Sequence, residues 1–423
     1  MFRRLAIYLA LTTLLLTSCI GEEQYEDSRI GIFESLWKIM DNRYCFFDVA
    51  KENYGLNWNE VHDRYALLVD TCTSDASLFD VLGDMLKELR DGHVNLSSMY
   101  GTSFYWDWKQ DYPTNFSDSI QRNYLGNDFR ITNGIKYTEL SDSIGYIYVE
   151  NFSGGFNINN LSLMLINLKN TKGIVLDIRN NGGGMITAAE KLASSFTDEK
   201  IHCGYMMHKT GTGHNDFSEP EEIHLEPSQG AIWLRPVVVL TNRGVYSAAN
   251  HFVMLMKELP HVAIMGDKTG GGSGMPFTTT LPNGWSVRFS ACPTLDAKGK
   301  DTEFGIEPDI HVQITSENWN SGRDTIIERA KKLILDYYAK KQTNNAVNSK
   351  KSTTFAPENR KTVARVAKLV DAPDLGSGVL RRVGSSPITR TIGQKRIIRE
   401  NFPLFYFCNS LIIERASFSS KVR

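Results

Sequence analysis

Hydrophobic residues follow a helical spacing through the first part of the chain. In residues 28–90, apolar side chains recur three or four positions apart, which is the pattern of helices that bury one face. Ser77 or Asp75 can cap the last of these helices. The pattern therefore predicts several amphipathic helices, whose buried faces would consist of Ile32, Phe33, Leu36, Trp37, Met40, Val61, Tyr65, Leu68, Val69, Phe79, Leu82, Met85, Leu86 and Leu89.

The pattern changes at Gly145, where short apolar runs begin to alternate with amphipathic stretches. Such alternation is typical of βαβ units, and it predicts a mainly parallel sheet. A hairpin is also predicted, with Pro282-Asn283-Gly284 at its tight turn. The predicted strands are 145–149, 173–178, 236–241, 262–265, 278–281 and 285–289, and the predicted helices are 158–168, 186–196 and 248–258.

These patterns divide the chain into five parts. The segment between the helices and the strands is irregular, and it is too short for an inserted peptide-binding module of about 90 residues. The predicted parts are a signal peptide at 1–19, a small helical domain at 20–98, a connecting segment at 99–140, an α/β core at 141–341 and a basic tail at 342–423.

The N-terminus has the features of a bacterial export signal. Arg3 and Arg4 precede an apolar run, residues 5–16, that is shorter than the roughly 20 residues needed to span a bilayer. The run ends in Leu-Thr-Ser-Cys19, which resembles a lipobox. We therefore expect Cys19 to be lipidated and to hold the protein on a membrane of the cell envelope, at the periplasmic or outer-surface face. The alternative is an ordinary signal peptide with an incidental cysteine.

Composition and charge distinguish the body of the chain from its tail. The 423 residues are 41% hydrophobic and 22% charged, which is globular composition, and the net charge of −1 predicts no nucleic-acid partner. Residues 342–423 carry 15 Lys and Arg against five Asp and Glu. Two stretches, 368–378 and 383–390, resemble the translation of a transfer-RNA gene. We interpret the tail as read-through or a gene-calling error, with a basic disordered tail as the alternative.

The cysteines predict no metal site. With Cys19 lipidated, the remaining cysteines have no metal-ligand spacing, and we expect neither a metal nor another cofactor. Cys45 and Cys72 both lie in the helical region. They either form a disulfide or remain as two buried thiols, and the sequence does not decide between these outcomes.

Three distant segments supply the parts of an acyl-transfer site. Ser247 lies between a predicted strand and a predicted helix, where its hydroxyl would benefit from the positive end of the helix and from the amide of Ala248. The glycines at 182–184 allow the backbone to approach an acyl oxygen closely, so Gly183 and Ala248 are candidate donors of an oxyanion hole. Asp91-Gly92-His93 adds a candidate base.

The order of four motifs resembles the C-terminal-processing (tail-specific) peptidases, a family that includes the tricorn core and the retinoid-binding protein repeats. The resemblance covers residues 30–315 and implies a ClpP/crotonase-like α/β fold, serine peptidase activity and a nucleophile at Ser247. It rests on GIVLDIRNNGGG at 173–184, YSAAN at 246–250, MGDKTG at 265–270 and GIEPD at 305–309.

One departure from the family pattern concerns the base. The processing branch has a lysine about 25 residues after its serine, as the resemblance implies, whereas this chain has Gly272 at that position and Lys268 outside the motif. The tricorn-like branch uses a histidine before the sheet, and His93 matches that position. The same branch implies a glutamate near Glu303 that orients the imidazole or completes a relay.

The resulting hypothesis is a membrane-anchored extracytoplasmic serine endopeptidase that cleaves polypeptides through an acyl-enzyme. A non-catalytic binder of apolar ligands or peptides on the same fold is the main alternative, and hydrolysis of small esters is a third. An intact pair of Ser247 and His93 favours the enzyme, because a binder has no need of that pair.

Overall fold

The structure is a computed structural model that describes residues 25–351 and 396–398, with side chains described for 25–340. The predicted signal peptide, Cys19 and most of the predicted tail lie outside these residues. Among the residues that are described, no helix combines the length and the apolar character needed to cross a membrane.

Four helices open the described chain, as the periodicity predicts. The side chains of Ser28, Asn57 and Ser74 cap three of them by accepting hydrogen bonds from backbone amides of the first turn. Their apolar faces form one buried cluster, which also includes Val287 and Phe289 from a later strand. The helices are α1 (Arg29–Arg43), α2 (Phe47–Tyr54), α3 (Trp58–Asp70) and α4 (Asp75–Lys87).

The helices pack on a small antiparallel sheet with strand order β12-β13-β1-β2. Two of its strands come from the chain just after α4, and the other two are the predicted hairpin, which therefore pairs with the N-terminal region. In the pairing of β1 with β13, Asn95 lies opposite Arg288. The strands are β1 (Asn95–Ser98), β2 (Gly101–Thr102), β12 (Pro276–Thr280) and β13 (Ser286–Ser290).

A seven-stranded sheet with order β15-β11-β10-β6-β5-β4-β3 forms the core. Its pairs from β5 to β15 are parallel, which confirms the predicted α/β class, and its β3-β4-β5 edge is antiparallel. The strands are β3 (Arg130–Thr132), β4 (Ile135–Leu140), β5 (Ile144–Tyr148), β6 (Gly173–Asp177), β10 (Val237–Thr241), β11 (Val262–Gly266) and β15 (Ile310–His311).

Helices cover both faces of this sheet, because alternate strand residues point to opposite sides. One face packs on α6, α7 and α8, and the other packs on α10. The helices are α5 (Asp118–Leu125), α6 (Ile158–Asn167), α7 (Ile186–Ala193), α8 (Ala248–Lys257), α9 (Ser316–Asn320) and α10 (Thr325–Lys351).

Two minor pairings complete the fold. Strands β7 (Ile201–Met206), β8 (Glu221–Leu225) and β14 (Thr294–Asp296) form a three-stranded sheet, in the order β14-β7-β8. Strand β9 (Ala231–Trp233) pairs in parallel with β16 (Arg396–Ile398).

The connecting segment is more regular than the sequence predicts. Between residues 99 and 140 the chain forms β2, a 3₁₀ turn at Asp107–Lys109, α5, β3 and β4. Helix α10 also continues past the predicted end of the core at residue 341. Cys45 and Cys72 are both buried free thiols, the second of the two outcomes that the sequence left open.

Candidate active site

The turn that carries Ser247 lies between β10 and α8. Ser247 has a positive φ of 57° with ψ of −125°, a backbone conformation that residues other than glycine rarely adopt. Hydrogen bonds hold the turn on both sides: Ser247 N donates to Gly271 O at 2.8 Å, and Tyr246 N donates to Asn181 O at 3.0 Å. Strain of this kind, maintained by surrounding contacts, is common at functional sites.

The loop between α4 and β1 brings His93 to this turn. His93 Nε2 lies 3.0 Å from Ser247 Oγ, although the two residues are 154 positions apart. The pairing of β1 with β13 positions the loop, and the residue after β13, Ala291, donates its amide to Gly274 O beside the nucleophile turn. The structure therefore brings together Ser247 and His93, two of the three residues for which the sequence predicted catalytic roles.

Burial sets the protonation state of the base. His93 is only 4% exposed, and desolvation lowers its pKa to about 4. The negative charge of Asp91 opposes this shift, and the positive charge of Arg288 adds to it. His93 is therefore a neutral imidazole near pH 7, which is the form that can accept the proton of a serine hydroxyl.

The predicted oxyanion donors lie beside Ser247. A side chain on Gly183 would come within 2.7 Å of Tyr246 O and 2.8 Å of Ala248 N, so only glycine fits. The amide of Ala248, at the first position of α8, has no acceptor among the described residues. The amide of Gly183, in contrast, donates to Asn181 Oδ1 at 2.9 Å. An oxyanion role for Gly183 stays a prediction. It requires the Gly183 amide to donate to the substrate oxygen as well as to Asn181 Oδ1.

Glu303 supports the wall of the site and makes no direct hydrogen bond to His93. Its carboxylate accepts from Ser273 N at 2.7 Å, and its backbone oxygen accepts from Gly272 N at 2.9 Å. Burial, followed by the charges of Asp91 and Asp301, raises the pKa of Glu303 well above its usual value. His93 Nδ1 is buried without a hydrogen-bond partner in the described part of the chain. No hydrogen bond joins Glu303 to His93, so a role of Glu303 in orienting the imidazole stays a prediction.

The structure also shows why no lysine stands where the processing branch has one. Gly272 has a φ of +78°, and a side chain there would come within 2.5 Å of the Tyr246 ring. Lys268 lies elsewhere, with its Nζ 3.5 Å from Glu307 Oε1. Neither position can supply an amine to Ser247 without rearrangement of the turn.

A small pocket with a cavity volume of about 30 Å³ opens beside Ser247 and His93. Its lining combines apolar side chains, such as Ile186 and Met254, with polar ones, such as Asn250 and His251. The lining residues besides the two catalytic candidates are Ile186, Ala248, Asn250, His251, Met254, Gly272, Ser273, Met275, Pro276, Thr294 and Thr302.

Arg179, directly before the glycine turn, lies in a buried network of hydrogen bonds and ion pairs. It is fully buried and donates to Asp177 Oδ2 at 2.6 Å and to Asp324 Oδ2 at 2.8 Å. Asp177 also accepts the hydroxyl of Tyr146 at 2.8 Å. This network joins β6 to the N-terminus of α10 and lies apart from the pocket.

Comparison with known proteins assigns the chain to a family. A profile of Peptidase family S41 matches residues 143–312, and a profile of the Tricorn protease C1 domain matches residues 25–87. A crystal structure of a candidate peptidase from Parabacteroides merdae is 52% identical, with a TM-score of 0.70 over 73% of this chain and 98% of that chain. The chain therefore belongs to peptidase family S41, the C-terminal processing peptidases.

More distant relatives agree with this assignment. The carboxy-terminal processing protease CtpA of Bacillus subtilis is 26% identical over 182 residues, which are 42% of this chain and 37% of that protein. The chain thus matches little more than a third of this curated relative's length. The structure of mature CPAF, at 11% identity, has a TM-score of 0.55 over 72% of this chain and 97% of that chain, which shows a shared fold.

Proposed function

We propose that the protein is a serine endopeptidase that cleaves polypeptides through an acyl-enzyme, with Ser247 as nucleophile and His93 as base. The observation that carries the proposal is the 3.0 Å contact of His93 Nε2 with Ser247 Oγ, beside the Ala248 amide, which has no acceptor in the part of the chain that the structure describes. Membership of the S41 family supports the same reaction. A protein that only bound peptides would gain nothing from a strained serine aligned with a neutral histidine.

In the proposed mechanism, Ser247 Oγ attacks the peptide carbonyl carbon while its proton passes to His93 Nε2. The oxygen of the tetrahedral intermediate accepts a hydrogen bond from the Ala248 amide, with Gly183 as the second donor if it shares its amide with Asn181. The imidazolium of His93 then protonates the leaving amine. A water molecule, deprotonated in turn by His93, hydrolyses the acyl-enzyme and releases Ser247.

The pocket lining supports a preference for substrates with an apolar residue at the scissile bond. Ile186, Met254 and Met275 contribute apolar surface close to Ser247. Met275 is also 39% exposed, so it can contact a bound chain at the rim. Methionine adapts to differently shaped side chains, and we therefore expect a broad apolar preference.

Labelling by a fluorophosphonate, followed by peptide mapping, tests the proposed nucleophile. The probe is expected to attach to Ser247 alone, and the same preparation is expected to cleave an unfolded polypeptide at internal bonds. The Ser247→Ala protein is the matched control, because it removes one oxygen atom. Absence of both labelling and cleavage would contradict the enzyme assignment, and labelling that persists in Ser247→Ala would exclude this nucleophile.

The membrane anchor belongs to the same proposal. Support comes from Cys19 directly after the apolar run of the signal. Mass spectrometry of protein purified from a bacterial host is expected to find acyl groups on residue 19, and Cys19→Ser is expected to move the protein from the membrane fraction to the soluble fraction. An unmodified Cys19 in the membrane fraction would refute lipid anchoring.

The rate of labelling should depend on pH through His93. Because burial lowers the pKa of His93 to about 4, the base stays neutral as the pH falls through 6.5. We expect a constant rate at neutral pH and a half-maximal rate near pH 4, where His93 becomes protonated. Circular dichroism at each pH separates this loss from unfolding. A midpoint at 6.5 or above would show that the active base is not the buried His93.

A further inference from the structure

Asp91, two residues before the base, joins three elements of the site. Its Oδ1 accepts from His93 N at 2.7 Å and from Tyr246 Oη at 3.5 Å, and its Oδ2 accepts from Ser290 Oγ at 2.6 Å. These donors belong to the base loop, the nucleophile turn and the end of β13.

The carboxylate is buried and has no cation in contact. Asp91 is 2% exposed, and the donors to its carboxylate among the described residues are His93 N, Tyr246 Oη and Ser290 Oγ, none of which is a cation. All three of its partners donate hydrogen bonds to it. A buried charge without a counter-ion is costly, and a neutral amide could hold the same three groups. Holding the fold together therefore does not by itself explain why a carboxylate is present at position 91.

The position of His93 supplies such a reason. The ring of His93 lies over Tyr246, with centroids 5.0 Å apart, and Tyr246 directly precedes Ser247. The carboxylate of Asp91 thus fixes both the backbone of the base and the residue next to the nucleophile. The negative charge of Asp91 also raises the pKa of His93, against the larger effect of desolvation.

We propose that Asp91 is a positioning residue for the Ser247–His93 pair, whose charge also stabilises the imidazolium that forms when His93 takes the serine proton. The inference rests on the proposed function and deepens it. The carboxylate acts through the His93 backbone and through space, so it is distinct from an acid that bonds directly to the ring.

Other charged and titratable groups act on the same site. Burial raises the pKa of Tyr246 well above its usual range, so its hydroxyl remains a donor to Asp91. Arg288, in β13, is half-buried and lowers the pKa of His93. The remaining groups that interact electrostatically with Asp91 are Tyr44, Cys45, Tyr54, Asp301 and Glu303.

Asp91→Asn separates the charge from the hydrogen bonds. The amide oxygen can still accept from His93 N, and the amide nitrogen can donate to Ser290 Oγ. We expect the plateau rate of fluorophosphonate labelling to fall roughly tenfold or more, and its acid midpoint to move about one pH unit lower, because a nearby negative charge is lost. The melting temperature should change little.

Ser290→Ala is the matched control, since it removes one hydrogen bond to Asp91 and leaves the charge. The pH at which its labelling rate is half-maximal should equal that of the wild-type protein. Its plateau rate of labelling should lie within about threefold of the wild-type rate, as expected for the loss of one hydrogen bond away from the reacting atoms. Asp91→Glu, which keeps the charge and alters the geometry, should retain the wild-type midpoint with a slower plateau. This second variant keeps the proposal testable if Asp91→Asn does not fold.

The possible outcomes separate the two proposals. An Asp91→Asn protein with the wild-type plateau and midpoint would overturn the role of Asp91, and so would an Asp91→Glu protein whose midpoint moves lower. A wild-type protein that is never labelled would instead refute the proposed function. Slower labelling with a lowered midpoint in Asp91→Asn alone supports the inference.

Discussion

Replacing His93 with alanine is expected to slow fluorophosphonate labelling of Ser247 by roughly 10²–10⁴-fold, the usual contribution of a general base. His93 Nε2 is the acceptor that the structure places 3.0 Å from Ser247 Oγ. Without it, the hydroxyl must lose its proton to water, and the strained turn alone cannot activate it. The measurement is the second-order rate of labelling at pH 7.

Lys268→Ala is the control for this prediction. Its amine is directed to Glu307, so its removal should leave the labelling rate unchanged. Full labelling in His93→Ala together with none in Lys268→Ala would transfer the role of base to the lysine. Such a result would also mean that the loop of residues 267–273 adopts another arrangement in solution.

The second large effect concerns stability. Arg179→Ala should lower the free energy of unfolding by about 3–5 kcal/mol, the typical cost of breaking a buried ion pair from one side. Asp177 and Asp324 would both remain buried, each without its cation. Urea denaturation followed by tryptophan fluorescence measures the change. We also expect labelling of Ser247 to weaken, because the turn at 180–184 follows Arg179 directly.

Arg64→Ala is the matched control for stability. Arg64 Nη2 lies 2.8 Å from Glu88 Oε1, but its side chain is 53% exposed, so solvent screens the pair. The expected loss is below about 1 kcal/mol. Equal losses in the two variants would contradict the assigned role of the buried network, and would point to a general effect of lost arginine packing.

The parallel core could be predicted because its signals are local. Strand β6 (Gly173–Asp177) and helix α8 (Ala248–Lys257) end one residue before the predicted 173–178 and 248–258. Continuous apolar runs bounded by glycine or polar residues specify buried strands, and the sheet covers each strand on both faces. Local periodicity was sufficient wherever the element was long and fully buried.

The connecting segment could not be predicted, because its order comes from tertiary contacts. Helix α5 (Asp118–Leu125) is short and polar, and a single face with Ile120 and Leu125 is buried. Strand β3 is mostly exposed and exists through its pairing with β4. The hairpin was predicted, but its pairing with β1 was not, since no local signal specifies a partner nearly 200 residues away.

Only part of the candidate site could be predicted from the sequence. The family resemblance placed His93 and Ser247 together, and the structure shows that contact. The hydrogen bond from Gly183 N to Asn181 Oδ1 and the contacts of Asp91 were missed. The hydrogen bond of Gly183 had a weak sequence signal, because an asparagine two residues before a glycine is a known turn pattern. The contacts of Asp91 had none, because they depend on the packing between β13 and the nucleophile turn.

The two residues of the candidate catalytic pair are held by different sheets. His93 lies in the loop just before β1 of the small antiparallel sheet, whereas Ser247 lies in the turn between β10 of the large sheet and α8. Because His93 Nε2 lies 3.0 Å from Ser247 Oγ, a sliding movement of about 1 Å between these layers would take the imidazole out of proton-transfer range while leaving each layer intact. A compound bound between the two layers would therefore inactivate the protein without occupying the pocket, and variants resistant to it would map to the contact between the layers.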